Sequence, residues 1–505
     1  MERVEWNDVQ GLVLSGYPEL RYAAYVLWRF APDRRAEAKR WISDLVGRVM
    51  NAGAHDVLPA TDAVASDPGQ SSPSEQTEPI RNARERERAG TWAINLALTA
   101  SGLAGLGVRK EELAFFSTGF LEGMAPPVAE QTSARRSRLL GDVGENSPRY
   151  WQWGGGKPPI DGLLLLYAES SGSLAELLRA EESAMSGAAM AHKKLIGRLY
   201  EDGKEHFGFR DGISQPIIAG TRLADSMSQR EKRISVVQPG EFVLGYPSER
   251  QARVTFQDVG AAGANKTRKA PSRNLARNGT YLVFRQLEQD VHAFNQFISA
   301  TAKLLNTSAG TEDEDWVAAR LVGRWRDGGP LVPRAMNALG AAENSNDFLY
   351  HFEDRFGLAC PIGAHIRRAN PRDSLGPDPQ TALRISKMHR IIRRGRSYGE
   401  RLSYDTNVRS RDAPHSPRGM LFICLNADIE TQFELIQHSW LNNVHFGGLY
   451  EETDPIGHFR SGKCIMTIQL RPANLRIGPF PKFITVRGGA YFFLPGIEAL
   501  QSLGS

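Results

Sequence analysis

Four stretches of the chain open as an apolar run and then change to the spacing of an amphipathic helix. They are TWAINLALTASGLAGLG (91–107), DGLLLLYAESSGSLAELLRAEESAM (161–185), TYLVFRQLEQDVHAFNQFISATAKLL (280–305) and MLFICLNADIETQFELIQHSWLNN (420–443). Each run is long enough for one strand, and each continuation has apolar residues recurring near every 3.6 positions. In the third, Val291, Phe294, Phe297 and Ile298 fall on one side of a helix. Two such units in each half predict an α+β chain of two related halves, each an antiparallel sheet with helices packed on one face. The halves are expected over 1–255 and 256–505, with further strands at 233–245, 463–470, 483–487 and 490–494.

Length alone, 505 residues, allows about two to four domain-sized units or one large domain with insertions. Insertions are expected where no core can be built: the Ser/Pro/Asp/Glu-rich 61–85, read as an exposed mobile loop, and the segments 260–274 and 306–315. A net charge of +5 on 62 basic and 57 acidic residues gives no basic face for nucleic acid. Cys360, Cys424 and Cys464 are too few and too far apart for a disulfide framework or a cysteine zinc site. The start, MERVEWNDVQGLVLSG, lacks the pattern of a signal peptide. No apolar run approaches the roughly 18 residues that span a bilayer. A soluble, cytoplasmic protein without membrane partners is expected.

The chain has no phosphate-loop, HExxH or GxSxG motif, and GAAGAN (260–265) follows no convincing strand. Eleven histidines are spread along it, with no local set of three or four converging ligands. His438 and His445 are seven apart, but WLNN ends the helix between them. Three segments carry chemistry instead. In FGFRDGISQP (207–216), Asp211 stands between Gly208 and Gly212, residues that let backbone pass close to a bulky group. If that segment is extended, Arg210 faces away from the side Asp211 faces. In CPIGAHIRRANPRD (360–373), Gly363 and Ala364 leave room beside the His365 ring, and Arg367, Arg368 and Arg372 follow as partners for carboxylates. A core histidine bonded to backbone is the alternative. In HRIIRRGRSYG (389–399), Arg393 ends a strand, aimed either into a pocket or at solvent, with Arg394 on the opposite face.

In this order the three segments resemble the dye-decolorising (DyP-type) haem peroxidases, in particular the larger members. FGFRDG matches the family's GxxDG motif, GAHIRRANPRD its histidine segment and HRIIRRGRSYG its distal arginine segment. DVQGLVLSGY (8–17) resembles the family's N-terminal strand. NGTYLVFRQLEQDVHAF, LVGRWRDGGP, MLFICLNADIETQFELIQ and FITVRGGAYFFLPG extend the likeness over most of the chain.

The resemblance implies two ferredoxin-like halves with haem b in the second. It implies His365 as the iron ligand, Asp211 as the distal acid–base and Arg393 as the distal arginine. Asp428 would be the acid behind His365, and Arg394 and the arginines after His365 (Arg367, Arg368 and Arg372) would reach the haem propionates. Gly395 stands where compact members often have Asn. Hydrogen peroxide and an aromatic electron donor are the implied partners. Asp211 would move a proton between the peroxide oxygens, and Arg393 would stabilise the charge that develops. Bulky donors would be oxidised through surface aromatics, for which Trp325, Tyr398, Trp440 and Tyr450 are candidates. The rival reading is a haem-binding or haem-handling protein, which needs His365 but not the Asp211–Arg393 pair.

Overall fold

The computed structural model describes residues 3–55, 91–125, 131–155, 158–250, 275–305, 311–332, 346–402, 416–457 and 464–505. The predicted loops 61–85 and 260–274 lie outside the described residues, as do residues 306–310. The rest of the third expected loop, 311–315, opens the helix Thr311–Val322.

The first half is built from β1 (Tyr22–Phe30), α1 (Arg35–Val46), β2 (Trp92–Leu98), β3 (Gly162–Ala168), α2 (Ser171–Met185) and β4 (Ala189–Arg198). Their sheet runs β2-β3-β1-β4, antiparallel throughout, which is the ferredoxin-like order. The second half repeats it. β5 (Thr280–Gln289) is followed by α3 (Val291–Leu304), and after Thr311–Val322 (α4) and His365–Ala369 (α5) come β6 (Ile392–Arg393), β7 (Arg396–Tyr398), β8 (Gly419–Asn426) and β9 (Ile484–Leu494). Here β5 lies between β9 and β8, and β6 and β7 pair with the far edge of β8. The last helix, α6, is Ile497–Gly504.

The two sheets meet at both edges, through Phe493 opposite Leu98 and Arg198 opposite Ser397. They therefore close around one interior. Strand side chains alternate between faces, and both faces are apolar. Leu282, Phe284, Leu421, Ile423, Tyr25 and Leu165 fill the interior. Val283, Ile94, Leu164 and Leu166 face outward, under Trp41 and Ile42 of α1 and Phe294 and Ile298 of α3. Each such side chain contributes about 1.5–3 kcal/mol on burial, which is why unbroken runs such as LLLL are spent on these strands. Asp290 caps α3 by accepting from the Ala293 amide (2.8 Å).

Several expected elements differ. DVQGLVLSGY is not the first strand: Gly11–Val13 is a 3-10 turn, and YAAYVLWRF makes β1. Within 233–245 only Val236–Val237 is strand, because Pro239 has no amide hydrogen for a ladder. The two strands expected at 483–487 and 490–494 are one, β9, bulged between Val486 and Gly488. Among the described residues no helix is long and apolar enough to cross a membrane.

Candidate active site

The outward face of the second sheet is not fully covered by helices. Arg285, Leu287 and Gln289 on β5, and Met420 and Phe422 on β8, alternate with residues of the closed interior and line a cavity of about 340 Å³. Opposite them stand His365, Ile366 and Ala369 of α5. Phe433, Ile436, Gln437 and Leu441 come from a wide helix, the π-helical stretches Glu430–Glu434 and Ile436–Leu441. The first half contributes the segment from Glu205 to Ser214.

His365 starts α5, and its Nδ1 lies 2.9 and 3.0 Å from the two carboxylate oxygens of Asp454. Asp454 is fully buried and also accepts from the amides of Ile456 (2.9 Å) and Gly457 (2.5 Å). Nδ1 thus donates, and Nε2 keeps its lone pair. Burial works against a charged ring, yet the charge and hydrogen bond of Asp454 outweigh it and raise the His365 pKa. For Asp454, burial is likewise outweighed by His365 and the Gly457 amide, and its pKa is lowered.

Asp428 is not the acid behind His365. Its Oδ1 accepts from the Thr431 amide (2.9 Å) at the start of the wide helix, and the Nδ1 position is filled by Asp454. Nothing in EETDPIG marks Asp454 by spacing; the signal is an aspartate followed by Pro455 and the small Gly457, whose amide turns back onto the carboxylate.

Arg393 and Asp211 meet across the cavity. Arg393 donates to Asp211 Oδ1 (2.9 Å) and to the Ile213 carbonyl (2.8 Å), and its amide donates to the Gln215 side chain (3.0 Å). Asp211 is held in turn by its amide on the Gly203 carbonyl (3.0 Å). The segment turns at Gly208 (φ 89°) and Gly212 (φ 81°), conformations that favour glycine. It is not extended, so Arg210 borders the cavity as well.

Arg394 does not reach this cavity. It faces the opposite side of the sheet and donates to the carbonyls of Leu12 and Val13 (2.8 Å each). Burial brings its pKa down to about 10. Arg367 and Arg368 are structural too: Arg367 pairs with Asp354 (3.1 Å), and Arg368 donates to the carbonyls of Gly363, Trp440, Asn443 and Glu452.

Sequence reading passed over Glu205, whose carboxylate borders the cavity. It accepts from the amides of Phe207 (2.9 Å) and Phe209 (3.0 Å) and from Gln289 (2.6 Å). Burial, opposed by those bonds, raises its pKa. Of the four surface candidates, Tyr398 and Trp440 are buried and Tyr450 is exposed away from the cavity. Trp325 is 39% exposed and also lines the cavity.

The dye-decolorizing peroxidase of Exidia glandulosa is 30% identical over 428 residues, covering 81% of this chain and 75% of that protein. The multifunctional dye peroxidase DyP2 of an Amycolatopsis species is 30% identical over 428 residues, 82% of each. This chain belongs to the dye-decolorizing peroxidases. No protein-family model matches it. The fold is shared with the DyP-type peroxidase of an Anabaena species (TM-score 0.73, 23% identity, covering 99% of this chain and 94% of that one). An ancestral D-type dye-decolorizing peroxidase matches equally well (TM-score 0.74, 24% identity, 100% of each chain).

Membership of the dye-decolorizing peroxidases carries haem-dependent peroxidase activity at the level of the family. The cavity fits that cofactor. Its walls are largely apolar, and His365 presents a ring nitrogen of fixed tautomer. At one side stand Arg324, Arg372 and Arg390, none of which makes an ion pair among the described residues. Arg324 donates to the Gly328 carbonyl and Asn346, Arg372 to two carbonyls and the Ser214 hydroxyl, and Arg390 to the Ser214 carbonyl. Burial and then the neighbouring Arg372 and Arg393 lower the Arg390 pKa to about 9; burial and Arg372 bring Arg324 to about 10. The carboxylates of Asp373, Glu353 and Asp347 act on Arg372 from nearby without pairing with it among the described residues, and three clustered buried cations suit an anionic group.

Proposed function

We propose that this peroxidase holds haem b in the cavity of about 340 Å³, where His365 would bind its iron, and uses hydrogen peroxide to oxidise dyes, phenols or other aromatic donors. The observation that carries the reading is the Asp211–Arg393 pair, closed at 2.9 Å, bordering the same cavity as the His365–Asp454 pair. Bound there, haem supplies the iron at which peroxide is reduced and donors are oxidised one electron at a time.

The side chains do the rest. Asp211 takes a proton from one peroxide oxygen and returns it to the other, so that water leaves. Arg393, anchored on the Ile213 carbonyl (2.8 Å), faces the negative charge that develops as the O–O bond breaks and keeps Asp211 in place. Asp454 holds the Nδ1 proton of His365, fixes the ring and makes Nε2 more basic. Arg324, Arg372 and Arg390 would receive the propionates. With Gly395 offering no side-chain donor, Asp211 and Arg393 orient the peroxide, and the hydrogen bond that an Asn there could give is missing or supplied by water.

An absorption spectrum of the purified protein, before and after peroxide, tests this reading. A strong Soret band that shifts rapidly on adding peroxide and returns with an aromatic donor is expected. A Soret band indifferent to peroxide would instead make the protein a haem carrier.

A further inference from the structure

Phe433, part of the cavity wall, is backed by the ring of Tyr491 on β9, with centroids 6.2 Å apart. Tyr491 is 2% exposed, and its phenol donates to Oε1 of Glu434 at 2.9 Å. Glu434 is itself buried, and Nε of Arg136 lies 3.4 Å from the same oxygen. Arg136 runs on to Glu122 (2.8 Å), nearer the surface. The arrangement differs from that of the closed interior, where the Tyr17 phenol donates to the amide oxygen of Asn95 (2.9 Å).

That difference is chemical. A phenol that loses an electron becomes a very strong acid, so oxidation is easy only where a base can take the proton at once. A carboxylate in contact is such a base and an amide oxygen is not. Burial first, then the charge of Glu434, raises the Tyr491 pKa and keeps the phenol protonated at rest. Burial also raises the Glu434 pKa against the pull of Arg136, which makes it a better proton acceptor than an exposed glutamate.

We propose that Tyr491 is an internal one-electron donor to the cavity, its phenolic proton passing to Glu434. The proposal rests on the peroxidase reading above, because peroxide is the oxidant. Reduction of peroxide to water draws two electrons from the site, and Tyr491 returns one of them. The O–H bond of Tyr491 breaks, the electron crosses the thickness of Phe433 to the oxidised site, and the proton forms an O–H bond on Glu434. A neutral phenoxyl radical and a carboxylic acid remain. An electron from an aromatic donor and the proton from Glu434 then restore the phenol. Phe433, whose ring is not oxidisable at such potentials, contributes closeness and excludes water. Tyr491 is too deep for a bulky donor to touch, so the pair stores an oxidising equivalent inside the protein.

The test is to mix the haem-loaded protein with hydrogen peroxide, freeze it within the turnover time and record its electron paramagnetic resonance. Protein grown on ring-deuterated tyrosine identifies a tyrosyl signal by its narrowing, and the absorption change is followed in the same samples. The wild-type protein should give a tyrosyl signal that Tyr491→Phe loses and Glu434→Gln loses in large part, with circular dichroism and haem content checking that both variants fold. An undiminished tyrosyl signal in Tyr491→Phe, or none in the wild type despite the absorption change, overturns the proposal and leaves the peroxidase reading standing. A full signal in Glu434→Gln overturns the role of Glu434 as acceptor. No absorption change in the wild type overturns the peroxidase reading and the proposal with it.

Discussion

His365 and Asp454 form a pair in which the carboxylate has no contact with solvent and every hydrogen bond it accepts comes from the chain. Such a partner fixes both the tautomer and the basicity of the ring. Asp454→Asn is expected to reduce peroxidase activity by about 10–100-fold, the usual effect of removing the group behind a ligating histidine. Asp428→Asn should leave activity, spectrum and stability near wild type, because an Asn side-chain oxygen caps a helix about as well as that of Asp. Steady-state activity and thermal unfolding of the two variants check this; a larger activity loss in Asp428→Asn would reverse the assignment. Asp211, His365 and Arg393 could be read from the sequence because each sits in a short segment of glycines and charges. Asp454 could not, because 89 residues separate it from His365 and only the fold joins them. Arg394 follows from strand geometry: beside Arg393 on adjoining strand positions, it must face the other side.

At the scale of elements, the sequence carries strands more clearly than their partners. β3 and β5 are apolar on both faces and stand out as unbroken runs. β1 carries the same signal in YAAYVLWRF, passed over in favour of DVQGLVLSGY, whose Gly11 sits in a turn. The link between β6 and β7 shows why Gly395 is there. A Cβ at Gly395 would lie 2.9 Å from the Leu421 carbonyl oxygen and 3.3 Å from the Met420 sulfur, so the strand passes too close to β8 for any side chain. Gly395→Asn is expected to cost about 1–3 kcal/mol, as overpacking does, and to give no faster reaction with peroxide. Thermal unfolding and peroxide kinetics decide it; unchanged stability with a faster reaction would mean that β6 and β8 can part to admit the amide.

At the scale of the whole molecule, the site exists because two sheets of the same order close on each other. The second half supplies His365, Asp454, Arg393 and most of the cavity wall, while the first half reaches over with Asp211. The second half holds the histidine with its own acid, Asp454, and the first half brings the acid that pairs with Arg393. The pattern of strand followed by helix was enough to predict two similar halves. That the halves would close edge to edge was not readable, since it depends on single contacts such as Phe493 with Leu98 rather than on any periodicity. The central claim is that Asp211, carried in from the first half, is the proton-transfer group for peroxide bound in the cavity on the side away from His365. Rapid mixing of Asp211→Asn with hydrogen peroxide tests it most directly, with the absorption change as the readout. The resting spectrum should match the wild type, and the rate of the change should fall by about 10²–10⁴-fold, the range of general acid–base catalysis. A wild-type rate in Asp211→Asn would contradict the account and leave the glycine-flanked turn as a wall of the cavity.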